Sequence, residues 1–284
     1  MSRIAYVDGS YRPHREAAVH IEDRGYQFAD GVYEVIAVRG GHLVDETLHL
    51  QRLRRSLREL RIEGAIGDGP LGVVMREVAR RNGVENGIVY IQITRGAAPR
   101  DHAFPREVKP VVVVTARRAR PPNPQLGENG VAVITLRDIR WQRCDIKSVA
   151  LVANVLGKQQ AREAGAYEAW LVDPLGRITE GTSTNAWIVT GDNVVVTRFI
   201  DNAILNGVTR QALIEIIRRE GYSFAERTFT VAEAKFAREA FLTSTTLDLL
   251  PVVSIDGDMI ADGRPGPLSR KLRDAYITHA MEAA

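Results

Sequence analysis

Residues 120–127 read Arg-Pro-Pro-Asn-Pro-Gln-Leu-Gly, and this proline-rich stretch decides how the chain is organised. Proline lacks a backbone N–H and pushes the residue before it to an extended conformation, so the stretch predicts a linker. The sequence therefore predicts an N-terminal domain over residues 1–118, a linker over residues 119–127 and a C-terminal domain over residues 128–284. A chain of 284 residues is long enough for two domains.

Both predicted domains mix strands with helices. Apolar runs and alternation predict strands at residues 4–7, 10–12, 32–39, 42–44, 88–94, 111–116, 131–136, 168–172, 186–189, 194–197, 240–243 and 252–255. Apolar residues at helical spacing predict helices at residues 48–60, 72–82, 151–164, 209–220 and 268–281. Because hairpins are frequent and no Gly-x-Gly-x-x-Gly or Gly-Lys-Ser/Thr loop occurs, we expect an α+β fold rather than a doubly wound parallel sheet.

Composition excludes several classes of protein. Hydrophobic residues make up 45% of the chain and charged residues 26%, which is typical of a folded globular protein. The apolar runs are too short to span a membrane, the N-terminus resembles no signal peptide, and one cysteine cannot form an internal disulfide framework. The net charge is only +3, and the basic clusters lack interleaved aromatic residues. We therefore expect a soluble cytoplasmic protein without a membrane or nucleic-acid partner and without a metal site.

Lysine is rare in this chain: only five of the 38 basic residues are lysines. Lys147 follows Arg140 and Arg143 closely, and nearby positive charge favours the unprotonated amine that attacks a carbonyl carbon. On this segment alone, a solvated surface lysine is the simpler interpretation. Lys158 and Lys271 lie on predicted helices, where solvation explains them.

Polar residues gather after a predicted turn at residues 179–185, which read Thr-Glu-Gly-Thr-Ser-Thr-Asn. One carboxylate, Glu180, with several hydroxyl and amide side chains can hold the polar edge of a ligand. An ordinary hydrogen-bonded loop is the alternative.

Two further groups suit anions. Residues 206–209 open a predicted helix and residues 243–246 follow a predicted strand, so backbone N–H groups and hydroxyls there can bind phosphate, with Arg52 as an added grip. A loop at residues 95–105 presents Arg100 and His102, which suit a substrate carboxylate. Helix capping and incidental surface charge are the alternatives.

Together these groups are the parts of a pyridoxal-phosphate site: a lysine, a carboxylate for the pyridine nitrogen, a phosphate cup and a carboxylate clamp. At these positions the chain resembles the fold-type IV pyridoxal-phosphate enzymes, most closely the D-amino acid aminotransferases. The resemblance covers nearly the whole chain. It is strongest at residues 24–34, 95–105, 138–148, 180–185, 204–210 and 243–246.

The resemblance implies roles for individual residues. Lys147 is similar to the Schiff-base lysine and Glu180 to the partner of the pyridine nitrogen, so these two are the expected catalytic residues. The other residues expected to bind pyridoxal 5′-phosphate are Arg52, Ser183, Thr184, Leu205, Val208, Thr209 and Thr245. Thr184 departs from a frequent serine but keeps the hydroxyl. Tyr33, Arg100 and His102 resemble the trap for the substrate carboxylate.

The resemblance also implies the assembly and the reaction. It implies a homodimer in which Arg100 and His102 reach the site of the other subunit, with the cofactor in the cleft between two domains. The expected activity is transfer of an amino group from a D-amino acid, such as D-alanine, to a 2-oxo acid, such as 2-oxoglutarate. A branched-chain L-amino acid aminotransferase or an aminodeoxychorismate lyase of the same fold is the alternative, and a non-catalytic basic binding protein is a more distant one.

Overall fold

The chain folds into two compact units. The structure, a computed structural model, describes residues 3–119 and 123–283. The first unit contains residues 3–119, Ile146–Ala150 and residues 280–283, and the second contains residues 123–145 and 151–279. A short segment in the middle of the chain, which includes Lys147, thus belongs to the first unit.

Strands and helices alternate along the whole chain. The elements up to residue 119 are β1 (Ile4–Val7), β2 (Ser10–Pro13), α1 (Arg24–Phe28), β3 (Gly31–Arg39), β4 (His42–Leu43), α2 (Glu46–Glu59), α3 (Asp68–Arg81), β5 (Gly87–Thr94) and β6 (Val111–Arg118). The later elements are α4 (Pro124–Asn129), β7 (Val131–Arg137), α5 (Val152–Glu163), β8 (Glu168–Val172), β9 (Ile178–Gly181), β10 (Asn185–Val189), β11 (Val195–Thr197), α6 (Val208–Arg219), β12 (Phe224–Glu226), α7 (Val231–Lys235), β13 (Glu239–Ser244), β14 (Asp248–Ile255), β15 (Asp258–Met259) and α8 (Pro267–Glu282). The predicted α+β class is confirmed.

The first unit is built on an antiparallel sheet in the order β2-β1-β6-β5-β3-β4. Helix α2 packs on β3 and helix α3 on β6. Leu53 of α2 and Met75 of α3 are completely buried in one core with Ile91 and Ile93 of β5. Because leucines recur at helical spacing along α2, its apolar face was readable from the sequence.

The second unit contains a mixed sheet in the order β12-β11-β10-β13-β14-β7-β8-β9, with β15 paired to β14. Strand β7 runs parallel to both β14 and β8, whereas β8 and β9 form an antiparallel pair. Trp170, Ile188 and Leu242 are buried in its core. The end of β9 and the start of β10 lie close together in sequence, and the polar residues 182–184 lie between them.

Two of the segments that the sequence analysis discussed differ from its expectation. Within the predicted linker at residues 119–127, residues 120–122 lie outside the described residues, and a helix begins at Pro124 and ends at Asn129. Proline is tolerated in a first helical turn, where its missing N–H costs no hydrogen bond, and the Asn123 side chain accepts a hydrogen bond from the Gln125 N–H (3.1 Å). Glu180 lies in strand β9 rather than in a loop, because the turn after β8 folds Ile178 back onto Val172.

Over residues 3–119 and 123–283, no helix has both the length and the apolar character needed to cross a membrane.

The start of helix α8 depends on a buried carboxylate from another element. Glu239 of β13 is 4% exposed. Its two carboxylate oxygens accept hydrogen bonds from the backbone N–H groups of Leu268 (3.0 Å) and Ser269 (2.7 Å). A negative charge at a helix N-terminus is also favoured by the helix dipole. Glu239 therefore acts as the N-terminal cap of α8.

Replacing Glu239 by alanine removes two charge-assisted hydrogen bonds and leaves two N–H groups, one buried and one partly buried, without their partner. We expect the free energy of unfolding to fall by about 2–4 kcal/mol. Urea denaturation followed by circular dichroism measures the change. The matched control is Glu215→Ala, which removes an exposed ion pair with Arg218 and should cost less than about 1 kcal/mol. Equal effects in the two variants would show that Glu239 is not a cap.

Candidate active site

Lys147 lies on a segment that pairs with strand β3. The Tyr33 N–H donates to the Lys147 carbonyl oxygen (3.0 Å), and the Val149 N–H donates to the Gly31 carbonyl oxygen (3.0 Å). The Lys147 N–H donates to the Ser56 hydroxyl of α2 (3.2 Å). The ammonium nitrogen of the half-buried Lys147 side chain lies 4.4 Å from the centroid of the Tyr33 ring. The structure thus brings together two residues predicted for the site and gives Lys147 a fixed backbone.

Arg52 is held by a buried carboxylate that the sequence analysis missed. Glu34 is completely buried, and its oxygens accept hydrogen bonds from Arg52 Nε (2.8 Å) and Arg52 Nη2 (2.8 Å). His49 Nδ1 lies 2.8 Å from the same carboxylate. A guanidinium paired in this two-point geometry has a fixed orientation. The signal in the sequence was a charged residue inside the apolar strand β3, since a buried charge requires a partner.

The charges of this cluster follow from its burial. Burial raises the pKa of Glu34, but the charge and hydrogen bonds of Arg52 outweigh it and keep the pKa well below its usual range. Burial is the main reason that the pKa of His49 is lowered from 6.5, and the positive charges of Arg52 and Lys147 add to it. Glu34 is therefore ionised and His49 neutral at neutral pH.

The loop at residues 95–105 is anchored by two buried arginines. Arg24 and Arg95 both pair with Asp30, at 2.8 Å and 2.7 Å respectively. Arg24 also donates to the Asp101 carbonyl oxygen (2.6 Å). The exposed side chains of Arg100 and His102 lie against the Phe28 ring, with centroid distances of 4.6 Å and 5.4 Å. Their meeting with Tyr33 stays a prediction.

In the second unit, the Glu180 carboxylate accepts hydrogen bonds from three donor groups. Its Oε1 accepts from Arg140 Nη1 (2.5 Å), and its Oε2 accepts from Asn185 Nδ2 (3.0 Å) and from the Leu205 N–H (3.1 Å). The side chain is 7% exposed. The predicted residues Glu180 and Leu205 are thus in direct contact, and Arg140 and Asn185 complete the environment of the carboxylate.

The hydroxyls that follow Glu180 converge on a second buried carboxylate. Glu168 of β8 accepts hydrogen bonds from the hydroxyls of Thr182 (2.5 Å), Ser183 (3.0 Å) and Thr184 (3.5 Å). A Cβ at Gly181 would collide with the Thr184 hydroxyl, so a larger residue there would force Thr184 to shift. The predicted residues Ser183 and Thr184 are therefore held together by Glu168, which the sequence analysis did not single out.

Helix α6 begins at Val208, and Thr209 is its second residue. The first N–H groups of any α-helix have no partner within the helix, and the helix dipole favours an anion there. A Cβ at Gly207 would collide with Asn185 Oδ1, so the chain approaches Asn185 closely just before the helix. Thr245 lies half-buried on the turn between β13 and β14. The chemistry of these groups suits a phosphate ester.

Comparison with known proteins agrees with this arrangement. Residues 31–255 match the class IV amino-transferase family. The chain belongs to the class IV aminotransferases. It is 41% identical over 273 residues to the D-alanine aminotransferase of Staphylococcus haemolyticus, covering 95% of each chain. It is also 41% identical to the D-alanine aminotransferase of Bacillus licheniformis, covering 94% of each chain.

Solved structures show the same fold. The branched-chain amino acid aminotransferase of Escherichia coli superposes with a TM-score of 0.91 at 22% identity, covering 98% of this chain and 94% of that one. The branched-chain aminotransferase of Thermoproteus uzoniensis with norvaline has a TM-score of 0.87 at 24% identity, covering 98% and 94% of the two chains. A hypothetical aminotransferase of Mycobacterium tuberculosis in its pyridoxal-phosphate-bound form has a TM-score of 0.86 at 22% identity, covering 99% of this chain and 100% of that one.

Class IV aminotransferases depend on pyridoxal phosphate, so this class IV chain is a pyridoxal-phosphate-dependent aminotransferase. The residues present fit this cofactor. The buried carboxylate of Glu180 suits a pyridine nitrogen, and the start of α6 suits the phosphate. Lys147 supplies the one amine that the resemblance assigns to the aldehyde. Arg52, Leu205 and the hydroxyl residues remain the other predicted contacts.

The lowered pKa of His49 makes the stability of the protein depend on pH. Because the folded state binds fewer protons at His49 than the unfolded state, stability is full above the unfolded pKa of about 6.5 and falls as the pH drops below it. We expect His49→Asn to flatten the decline in unfolding free energy between about pH 7 and about pH 5. Urea denaturation across this range measures the slope. The exposed His42→Asn is the control and should keep the wild-type slope; an unchanged slope in His49→Asn would contradict this account.

Proposed function

We propose that this enzyme is a D-amino acid transaminase that moves the amino group of a D-amino acid, such as D-alanine, to a 2-oxo acid, such as 2-oxoglutarate. The identity of 41% over 95% of the chain to a D-alanine aminotransferase carries the choice of substrate. Buried hydrogen-bond networks hold the Arg52 guanidinium in the first unit and the Glu180 carboxylate in the second, and such fixed polar groups support the binding of a charged cofactor. The sequence prediction of Lys147 and Glu180 as the catalytic residues is kept in this proposal.

Each site residue has a task in the proposed reaction. When bound, pyridoxal phosphate supplies the aldehyde that takes the amino group and the ring that accepts electrons from the substrate Cα–H bond. Lys147 would hold the cofactor as its Schiff-base lysine, and its free amine would accept the proton from the substrate Cα and later give it back. Glu180 holds the pyridine nitrogen in its protonated form. These two groups account for the proton transfers in each half of the reaction.

The remaining residues bind and orient. Arg52, Val208, Thr209 and Thr245 bind the phosphate, Leu205 packs against the ring, and Ser183 and Thr184 lie beside it. Tyr33 binds the substrate carboxylate together with Arg100 and His102. Since one end of the substrate is then fixed, Lys147 addresses one face of Cα, which makes the enzyme stereospecific.

The proposal includes a homodimer with shared sites, in which the exposed Arg100 and His102 of one subunit serve the other. It also includes a cytoplasmic location, with which the buried free thiol of Cys144 is compatible.

A branched-chain L-amino acid aminotransferase is the second candidate. It is favoured by the fold of the solved branched-chain enzymes, which reach a TM-score of 0.91. Identity to the two branched-chain structures is 22% and 24%, well below the identity to the D-alanine enzymes, and for this reason the D-amino acid is preferred.

The half-reaction decides between the two candidates. We expect the absorbance of the purified holoenzyme to change on addition of D-alanine, as the cofactor takes the amino group, and to stay constant with L-alanine and L-leucine. Stopped-flow or steady-state spectra of the bound cofactor measure this. A change with L-leucine but not with D-alanine would support the branched-chain activity instead.

Replacing Lys147 by alanine tests the proton transfer. General-base groups contribute about 10²–10⁴-fold to rate, and Lys147 also carries the Schiff base, so turnover with D-alanine should fall by at least ~10²-fold. The matched control is Lys271→Ala, since Lys271 is exposed on α8, and it should keep the wild-type rate. Wild-type turnover in Lys147→Ala without an added amine would remove Lys147 from its role.

A further inference from the structure

In the second unit, one carboxylate oxygen of Glu180 accepts a hydrogen bond from a buried arginine. Arg140 Nη1 donates to Glu180 Oε1 at 2.5 Å, whereas Glu180 Oε2 accepts from Asn185 Nδ2 and from the Leu205 N–H. The Arg140 side chain is 5% exposed. A full positive charge thus lies in hydrogen-bond contact with the carboxylate and is shielded from solvent.

Arg140 is itself held in place. Its Nε and Nη2 donate to the two oxygens of Asp138, at 3.0 Å and 2.8 Å. Nη2 also donates to the Ala203 carbonyl oxygen (2.9 Å), and the Thr179 hydroxyl donates to Asp138 (2.8 Å). The guanidinium therefore cannot swing away from Glu180 without breaking several hydrogen bonds.

The charged residues of this cluster alternate in sign along their contacts, because Arg140 lies between the carboxylates of Asp138 and Glu180. Cys144 lies near it but adds no charge, since burial raises the pKa of its thiol to about 12. Asp145, the other acidic neighbour, is paired with Arg143 (3.0 Å). Arg140 is thus a cation in direct contact with Glu180.

We infer that Arg140 is a positioning residue that holds Glu180 as an anion and thereby keeps the shared proton on the pyridine nitrogen of the cofactor. This inference rests on the proposed role of Glu180. A positive charge in contact with a carboxylate lowers its proton affinity, so a proton shared between Glu180 and a ring nitrogen lies on the nitrogen. Because Arg140 contacts the carboxylate directly, its removal shifts the proton toward Glu180.

The test is the magnetic resonance of an isotopically labelled pyridine nitrogen in the holoenzyme at neutral pH, which reports where the proton lies. We expect the wild-type signal at the protonated position and the Arg140→Gln signal displaced toward the unprotonated one. Loss of an opposite charge at this distance typically raises the pKa of a carboxylate by about one to three units. The ratio of molecules with the proton on the ring nitrogen to molecules with the proton on Glu180 should therefore fall by ~10- to 1,000-fold. A signal at the wild-type position in Arg140→Gln would overturn the inference.

Two further variants separate charge from structure. Arg140→Lys keeps a positive charge and should keep the signal at the protonated position; its displacement would contradict charge as the cause. Arg198→Gln is the matched control, because the Arg198 side chain is 6% exposed and pairs with Asp173 and Asp201. It should leave the signal unchanged, and an equal displacement there would show a general effect of losing a buried arginine.

The same spectra distinguish failure of this inference from failure of the proposed function. A wild-type protein that binds no labelled cofactor would overturn both. A wild-type signal at the protonated position together with an unmoved signal in Arg140→Gln would overturn the inference alone and leave Glu180 in its role.

Discussion

Two backbone hydrogen bonds between strand β3 and residues 147–149 underlie the arrangement of the first unit. They tie a segment from the middle of the chain to the strand that also carries Tyr33 and Glu34. Neighbouring residues of a strand point to opposite faces, so Tyr33 and Glu34 serve different purposes. Tyr33 lies against the Lys147 side chain, while Glu34 faces His49 and Arg52 of α2. Strand β3 thus positions both Lys147 and Arg52, the arginine that is predicted to bind phosphate.

Buried carboxylates hold several of the residues that the sequence predicts for the site. Glu34 orients Arg52, Glu168 gathers three hydroxyls, and Glu180 is held by Arg140 and Asn185. Burying an unpaired charge costs several kcal/mol, about the net stability of a domain, so each carboxylate must be fully hydrogen-bonded. Such networks have few alternative arrangements, and this rigidity suits a site that must hold a cofactor and a reacting carbon in register.

Much of the fold was predictable because its elements bury one face. The apolar spacing along α2 and α6 and the short apolar runs of β5 and β10 indicated these elements to within a few residues. Strand β9 was missed because three of its four residues are Thr179, Glu180 and Gly181, which resemble a loop. The helix at Pro124 was missed because a proline at a helix start and a proline in a linker look alike in sequence.

The sequence predicted which types of residue form the site, but not how these residues pair. Lys147, Glu180 and the hydroxyl cluster stood out as residue types, but the partners that hold them did not, because pairings such as Glu180 with Arg140 join residues 40 positions apart. With so many arginines in the chain, no local pattern distinguishes the one that contacts Glu180. The resemblance to a family supplied the roles, and the structure supplied the contacts.

In the proposed function, Lys147 carries the cofactor. Borohydride reduction of the holoenzyme would fix a bound pyridoxyl group to its amine, and peptide mapping would locate it. We expect one labelled peptide, which contains Lys147, and no label in the Lys147→Ala variant. A label on any other lysine, or a wild-type protein without a label, would contradict it.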